Sequence, residues 1–120
     1  MTTPTYSART EIISVTSTTT GADADLLYTC PVSYDAEVTL ILVTNGATTT
    51  TFNVQLYHED MAAWHYISRL HSIAAGTSLN VLDGSPLFLH AGDKIAVYKT
   101  GGTFDATISV KQYFNPTRRL

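Results

Sequence analysis

Three of the four histidines, together with their acidic neighbours, are the residues best suited to bind a metal ion. His58, Glu59 and Asp60 are contiguous, and His65 and His71 follow at spacings of 7 and 6 residues. A zinc site needs three or four ligands that converge on one point. Such spacings along strands do not impose convergence. We therefore expect a solvated loop here, with no metal and no cofactor.

Carboxylates and nucleophiles give no stronger indication of catalysis. Asp35 and Glu37 are two residues apart and share one face of a strand, whereas a glycosidase pair comes from opposite sides of a cleft. The chain has no G-x-S-x-G motif and no phosphate-binding glycine loop, and Gly101-Gly102 reads as a turn. We expect a protein that is not an enzyme, with no catalytic residues.

Cys30 is the only cysteine, so no disulfide can form within the chain. We interpret it as a small buried hydrophobic residue, the alternative being a reactive thiol.

Composition narrows the class of partner. The net charge of -3 argues against nucleic acid, and Arg118-Arg119 is expected to be a solvated tail. No 18-residue apolar run exists and the N-terminus lacks the pattern of a signal peptide, so neither membrane nor secretion is expected. Only 14% of the residues are charged, against about 25% in ordinary domains, and threonine is abundant. These features are typical of a surface that docks on other proteins, or simply of solvated strand faces.

Displayed aromatic residues are the other candidate for function. Trp64 and Tyr66 share one face of a predicted strand, and Tyr57 lies on the polar face of another. Tyrosine and tryptophan on a sheet serve in protein interfaces and in stacking on sugars. The alternative, which we favour slightly, is that Trp64 closes one end of the core.

The segment 35–58 predicts the hairpin on which the rest of the fold depends. Phe52, Val54 and Leu56 alternate with polar residues, which indicates a half-buried strand. The run before it is apolar on both faces, and Asn45-Gly46 favours a turn between the two. Other predicted strands cover 9–19, 26–30, 64–70, 77–82, 87–90, 94–99 and 104–110.

Two details of the pattern leave alternatives open. Asp60 to Trp64 reads as a turn before a strand or as one turn of helix. Tyr113 and Phe114 break the alternation of the last strand, which predicts a bulge or a contact at its end.

The spacing of these elements predicts an all-β protein with a single antiparallel β-sandwich of about eight or nine short strands, jelly-roll or immunoglobulin-like. We expect a flexible arm over residues 1–8, the sandwich over 9–116 and a tail over 117–120.

Three segments carry a resemblance to a known family. In these segments the chain resembles small virion proteins of tailed bacteriophages. The segments are Leu27-Tyr28-Thr29-Cys30-Pro31, the strand that ends at Thr44-Asn45, and Leu89-His90-Ala91-Gly92-Asp93-Lys94-Ile95-Ala96-Val97. The similarity covers about residues 26–114. It implies a β-sandwich used as a building block, as a capsid decoration or cement protein or as a neck, tail or fibre accessory, and it implies no catalytic residues.

The expected partners are the major capsid protein, other virion proteins and further copies of the chain, which we take as a trimer. The expected location is the virion, after synthesis in the host cytoplasm. A rival interpretation is a carbohydrate-binding module that uses Trp64, Tyr66 and Tyr57. The candidate interface residues are Thr2, Pro4, Tyr6, Tyr57, Trp64, Tyr66, Tyr113 and Phe114.

Overall fold

A computed structural model describes residues 8–17, 25–46, 49–99 and 104–114. All regular elements in these ranges are strands, which confirms the predicted all-β sandwich. They are β1 (Ala8–Ser17), β2 (Asp25–Thr29), β3 (Tyr34–Asn45), β4 (Thr50–His58), β5 (Ala63–Ile73), β6 (Ser78–Asn80), β7 (Leu87–Leu89), β8 (Lys94–Lys99) and β9 (Phe104–Phe114).

The strands form two antiparallel sheets whose order identifies a jelly roll. The first sheet has the order β1-β9-β3-β6, with β7 also paired to β3, and the second has the order β2-β8-β4-β5. The pairs are nested: β4 with β5, β3 with β6 and β7, β2 with β8, and β1 with β9. Such a hairpin of strands wrapped over two sheets is the jelly-roll arrangement rather than the immunoglobulin one.

The core lies between the sheets and follows the predicted alternation. Phe52, Val54 and Leu56 of β4 are buried against Val38, Ile41 and other residues of the first sheet. In β3 the pairing with β9 shifts between Val38 and Leu40, so Thr39 is an extra residue. This bulge changes which alternate residues face inward, which explains why the run looked apolar on both faces.

The structure corrects several element boundaries. β3 begins at Tyr34, one residue before the predicted segment, Ala8 is the first residue of β1 rather than the end of an arm, and β5 continues to Ile73. Residues 59–62 form a β-turn in which the Ala62 amide donates to the Glu59 carbonyl at 3.2 Å. The helical alternative for this segment is therefore wrong.

The end of β9 also differs from the prediction. Gln112 is buried and continues the inward phase of Ile108 and Val110, so Phe114 does not break the alternation. The predicted contact at the strand's end is present, because the rings of Phe114 and Tyr34 meet edge to face at 5.6 Å. The bulge lies in β3 instead.

The predicted arm up to Ser7 and the tail over 117–120 lie outside the described residues.

Candidate docking surface

His58, His65 and His71, the histidines considered as metal ligands, lie on one hairpin but do not come together at one point. The rings of His58 and His65 meet at 5.3 Å near the tip of the β4–β5 hairpin, whereas His71 packs against Phe52 at 5.5 Å. Within the described ranges, no group of three or more histidine, cysteine or acidic residues could hold a metal ion.

Asp35 and Glu37 share one face of β3, as their spacing predicts, and each contacts a different neighbour. Asp35 Oδ1 lies 3.2 Å from His90 Nδ1, and Glu37 Oε1 accepts a hydrogen bond of 3.3 Å from the Tyr113 hydroxyl. Both contacts lie on the outer side of the first sheet. They tie neighbouring strands together, and the two carboxylates do not face one another across a cleft.

Asp93 is a buried carboxylate that was not among the predicted site residues. Its two oxygens accept hydrogen bonds of 2.9 Å from the amides of Glu59 and His90. Because backbone amides are its partners, Asp93 fixes the loop before β8 against the tip of the β4–β5 hairpin. Its role is therefore to position two loops.

Cys30 lies in the core, where only 1% of its surface is exposed. Burial is the main cause that raises the pKa of its thiol from 9.0 to about 12, and the charges of Asp35 and Asp93 add to the shift. The thiolate is the reactive form of cysteine, so the folded chain presents no reactive thiol here. The buried interpretation of Cys30 agrees with this environment.

The outer side of the second sheet carries the aromatic residues that the sequence singled out. The strand register forms two neighbouring rows of residues across β2, β8, β4 and β5. In that order of strands, the first row is Thr29, Lys94, Tyr57 and Trp64, and the second is Leu26, Ala96, Gln55 and Tyr66. The two rows contain no acidic residue. We call the surface formed by Tyr57, Trp64, Tyr66, Arg69 and Lys94 the aromatic face.

Contacts within the aromatic face hold its side chains in place. The rings of Tyr57 and Trp64 meet at 5.1 Å, Lys94 Nζ lies 4.8 Å from the centre of the Tyr57 ring, and Arg69 Cζ lies 5.0 Å from the centre of the Tyr66 ring. Such cation–π contacts are worth about 0.5–1 kcal/mol at exposed sites. The surface is therefore partly ordered before any partner binds.

The aromatic face extends along β5 to the hairpin's tip. Large exposed side chains on this hairpin are Met61 (63%), Trp64 (45%), Tyr66 (51%) and Leu70 (58%). Trp64 is thus on the surface, and the prediction that it closes the end of the core is wrong. A cluster of large exposed apolar side chains is typical of an interaction surface.

β5 is one of the two edge strands of its sheet, and two irregularities reduce its ability to pair with another strand. Its register with β4 shifts between Phe52 and Val54 and again between Val54 and Gln55. Leu70 has φ of +50°, and its amide donates to the Asn53 side chain rather than continuing the regular ladder. Bulges of this kind protect an edge, so the outer face is better suited to docking than the edge itself.

The remaining candidate interface residues lie elsewhere. Tyr113 and Phe114 end β9 in the other sheet, and Thr2, Pro4 and Tyr6 lie outside the described residues. Lys94 and Arg69 were missed, because only the order of strands reveals that Lys94 lies beside Tyr57. In the described part of the chain, no helix has the length and apolarity needed to span a membrane.

Comparison with known proteins identifies the fold and no family. No protein-family model matches the sequence, and no curated protein is significantly similar to it. Among solved structures, the chain is similar to a protein of Bacillus endospore appendages, described as disulfide-linked pili, with a TM-score of 0.56, 13% identity and coverage of 96% of this chain and 94% of that one.

Two structures from infectious bursal disease virus are also similar. A chain of the Gx strain gives a TM-score of 0.54 with 9% identity over 93% of this chain, and a D431N mutant of the VP2 protein, in derived T=1 particles, gives 0.55 with 9% identity over 93%. This chain spans about a third of the length of both viral proteins (34% and 33%). At these identities the similarity shows a shared fold alone.

Proposed function

We propose that the chain is a non-enzymatic structural protein of a phage virion, namely a capsid decoration or cement protein. It stabilises the particle through contacts with the major capsid protein or other virion proteins and with copies of itself. The observation that carries this proposal is the aromatic face, an exposed, acid-free surface of Trp64, two tyrosines and two cations on a rigid sheet.

The composition of this face supports protein docking in particular. Tryptophan, tyrosine and arginine are the residues that dominate binding energy in protein interfaces. Jelly rolls occur in viral capsids, and the structural neighbours come from virus particles and from pili, both of which are assemblies of many copies. The resemblance of residues 26–114 to small virion proteins points to the same class.

Binding to particles that lack the chain tests the proposal. We expect purified protein to co-sediment with such particles and to raise the temperature at which they release their contents. Trp64→Ala should weaken this binding about 30-fold or more, which corresponds to a loss of 2 kcal/mol at an interface hot spot. Val32→Ala, which trims an exposed apolar side chain outside the aromatic face, is the matched control in the particle assay. Wild-type protein that remains in the supernatant would refute the virion role.

The alternatives differ in location or in ligand. A neck, tail or fibre accessory protein would bind at the particle's axis rather than over the capsid lattice. A carbohydrate-binding module would use the same Tyr57, Trp64 and Tyr66, and lectin domains share the jelly roll. However, cations already cover one side of both tyrosine rings, which leaves less open ring surface for a sugar. Glycan binding that is lost in Trp64→Ala would support the carbohydrate module.

A further inference from the structure

The two outer faces of the sandwich carry opposite charge. On the outer side of the first sheet, β3, β7 and β9 present three carboxylates, Asp35, Glu37 and Asp105, and one ammonium group, Lys111. Phe88 lies beside Glu37 in this surface and is 66% exposed. We call these five residues the acidic face.

The aromatic face is the counterpart in both charge and chemistry. It carries Lys94 and Arg69, and its paired rows contain no carboxylate. The carboxylates of Glu59 and Asp60 lie in the turn at the hairpin's tip, beyond the last row. Each face also has a large exposed apolar group, Trp64 on one and Phe88 on the other.

We propose that the aromatic face of one copy docks on the acidic face of a second copy of this chain. The charges of the two faces are complementary, whereas two aromatic faces together would oppose like charges, an arrangement that complementary interfaces avoid. The contact is therefore heterologous, between different patches on the two copies. It deepens the self-association in the proposed function by assigning a surface to each side.

The positions of the faces determine the form of the assembly. They lie on opposite sides of one sandwich, since they are the outer sides of its two sheets. A heterologous contact between opposite sides repeats without closing and builds an open row of copies. This differs from the trimer that was expected from the resemblance to virion proteins. The contact should also weaken as salt increases, because it depends on exposed charges.

Two charge-reversed variants of the full chain test the contact by analytical ultracentrifugation. The first, Lys94→Glu with Arg69→Glu, disables only the aromatic face. The second, Glu37→Lys with Asp105→Lys, disables only the acidic face. Each variant alone should be monomeric, whereas wild type should show a mass that grows with concentration and falls with added salt.

The mixture of the two variants gives the decisive result. Each variant retains the face that the other lacks, and the two reversed faces are again complementary in charge, so an equimolar mixture should regain assemblies whose mass grows with concentration. A variant with a disabled acidic face that self-associates as wild type does would show that aromatic faces pair with each other, and would overturn the proposal. A mixture that remains monomeric would overturn it as well.

Two further measurements keep the outcome interpretable. Circular dichroism and thermal unfolding establish that each variant is folded. If Glu37→Lys with Asp105→Lys does not fold, Asp105→Lys alone replaces it, because Asp105 is exposed. Wild type that stays monomeric at all concentrations also refutes the contact. Particle binding without self-association would refute this contact and leave the virion role intact. Self-association of a chain that does not bind particles would refute the virion role alone.

Discussion

A hydrogen bond in the core joins the two sheets, and its removal should lower the free energy of unfolding measurably. Gln112 Nε2 in β9 donates to the Tyr28 hydroxyl in β2 at 2.6 Å, and both residues are buried. Tyr28→Phe removes the acceptor and deprives a buried amide of its partner, which costs about 1–3 kcal/mol. Gln112→Leu removes the donor, and we expect a loss of the same order.

The double variant gives the sharper expectation. When both polar partners are replaced by apolar groups of similar shape, no buried amide is left without its acceptor, so the two losses should not add. We expect Tyr28→Phe with Gln112→Leu to be more stable than the sum predicts by about 1 kcal/mol or more, which lies in the range of coupling energies for contacting residues.

Urea unfolding of the four proteins measures this coupling. Tyr113→Phe is the matched control, because its hydroxyl makes a longer bond of 3.3 Å to Glu37 in a half-buried position. It should change the free energy of unfolding by less than about 0.5 kcal/mol. Losses at Tyr28 and Gln112 that add within about 0.3 kcal/mol would show that the bond does not link the sheets energetically.

Three other changes follow from the described contacts. Asp93→Ala leaves two amides without their charged acceptor and should lower the free energy of unfolding by about 3 kcal/mol in urea titrations, whereas the exposed Asp60→Ala should change it by less than about 0.5 kcal/mol. The pKa of the Cys30 thiol rises from 9.0 in the unfolded chain to about 12 in the folded one. The contribution of this shift to the free energy of unfolding is therefore complete below pH 9 and is lost as the pH rises towards 12. Thermal melts of wild type should show this component and those of Cys30→Ala should lack it; equal alkaline losses in both would contradict it. Leu70→Asn should retain or raise stability by up to about 1 kcal/mol, since asparagine tolerates the positive φ there, and a clear loss in thermal melts would show that the leucine side chain matters more.

Local patterns predicted the sandwich because the alternation of apolar and polar residues indicates which side of each strand is buried. The alternation of Phe52, Val54 and Leu56 identified β4 correctly, and the turn signals separated the strands. The alternation within a strand does not reveal which distant strand pairs with it. The jelly-roll order and the row that joins Lys94 to Tyr57 and Trp64 became visible only with the structure.

The errors have local physical causes. Thr39 is an extra residue that changes the phase of β3, and no residue pattern distinguishes such a bulge from a strand buried on both sides. The prediction that Trp64 closes the core is wrong because Trp64 lies on the outer face of an edge strand, where it packs beside Tyr57 and stays 45% exposed. The aromatic grouping of Tyr57, Trp64 and Tyr66 was nevertheless anticipated from their positions on strand faces.

Locating the chain in phage particles tests the proposed virion role most directly. Electron cryo-microscopy of purified particles should show density of the size of one jelly roll at regular positions on the capsid, with the surface around Trp64 turned towards a protein neighbour. Particles that contain no copy of the chain would contradict the account.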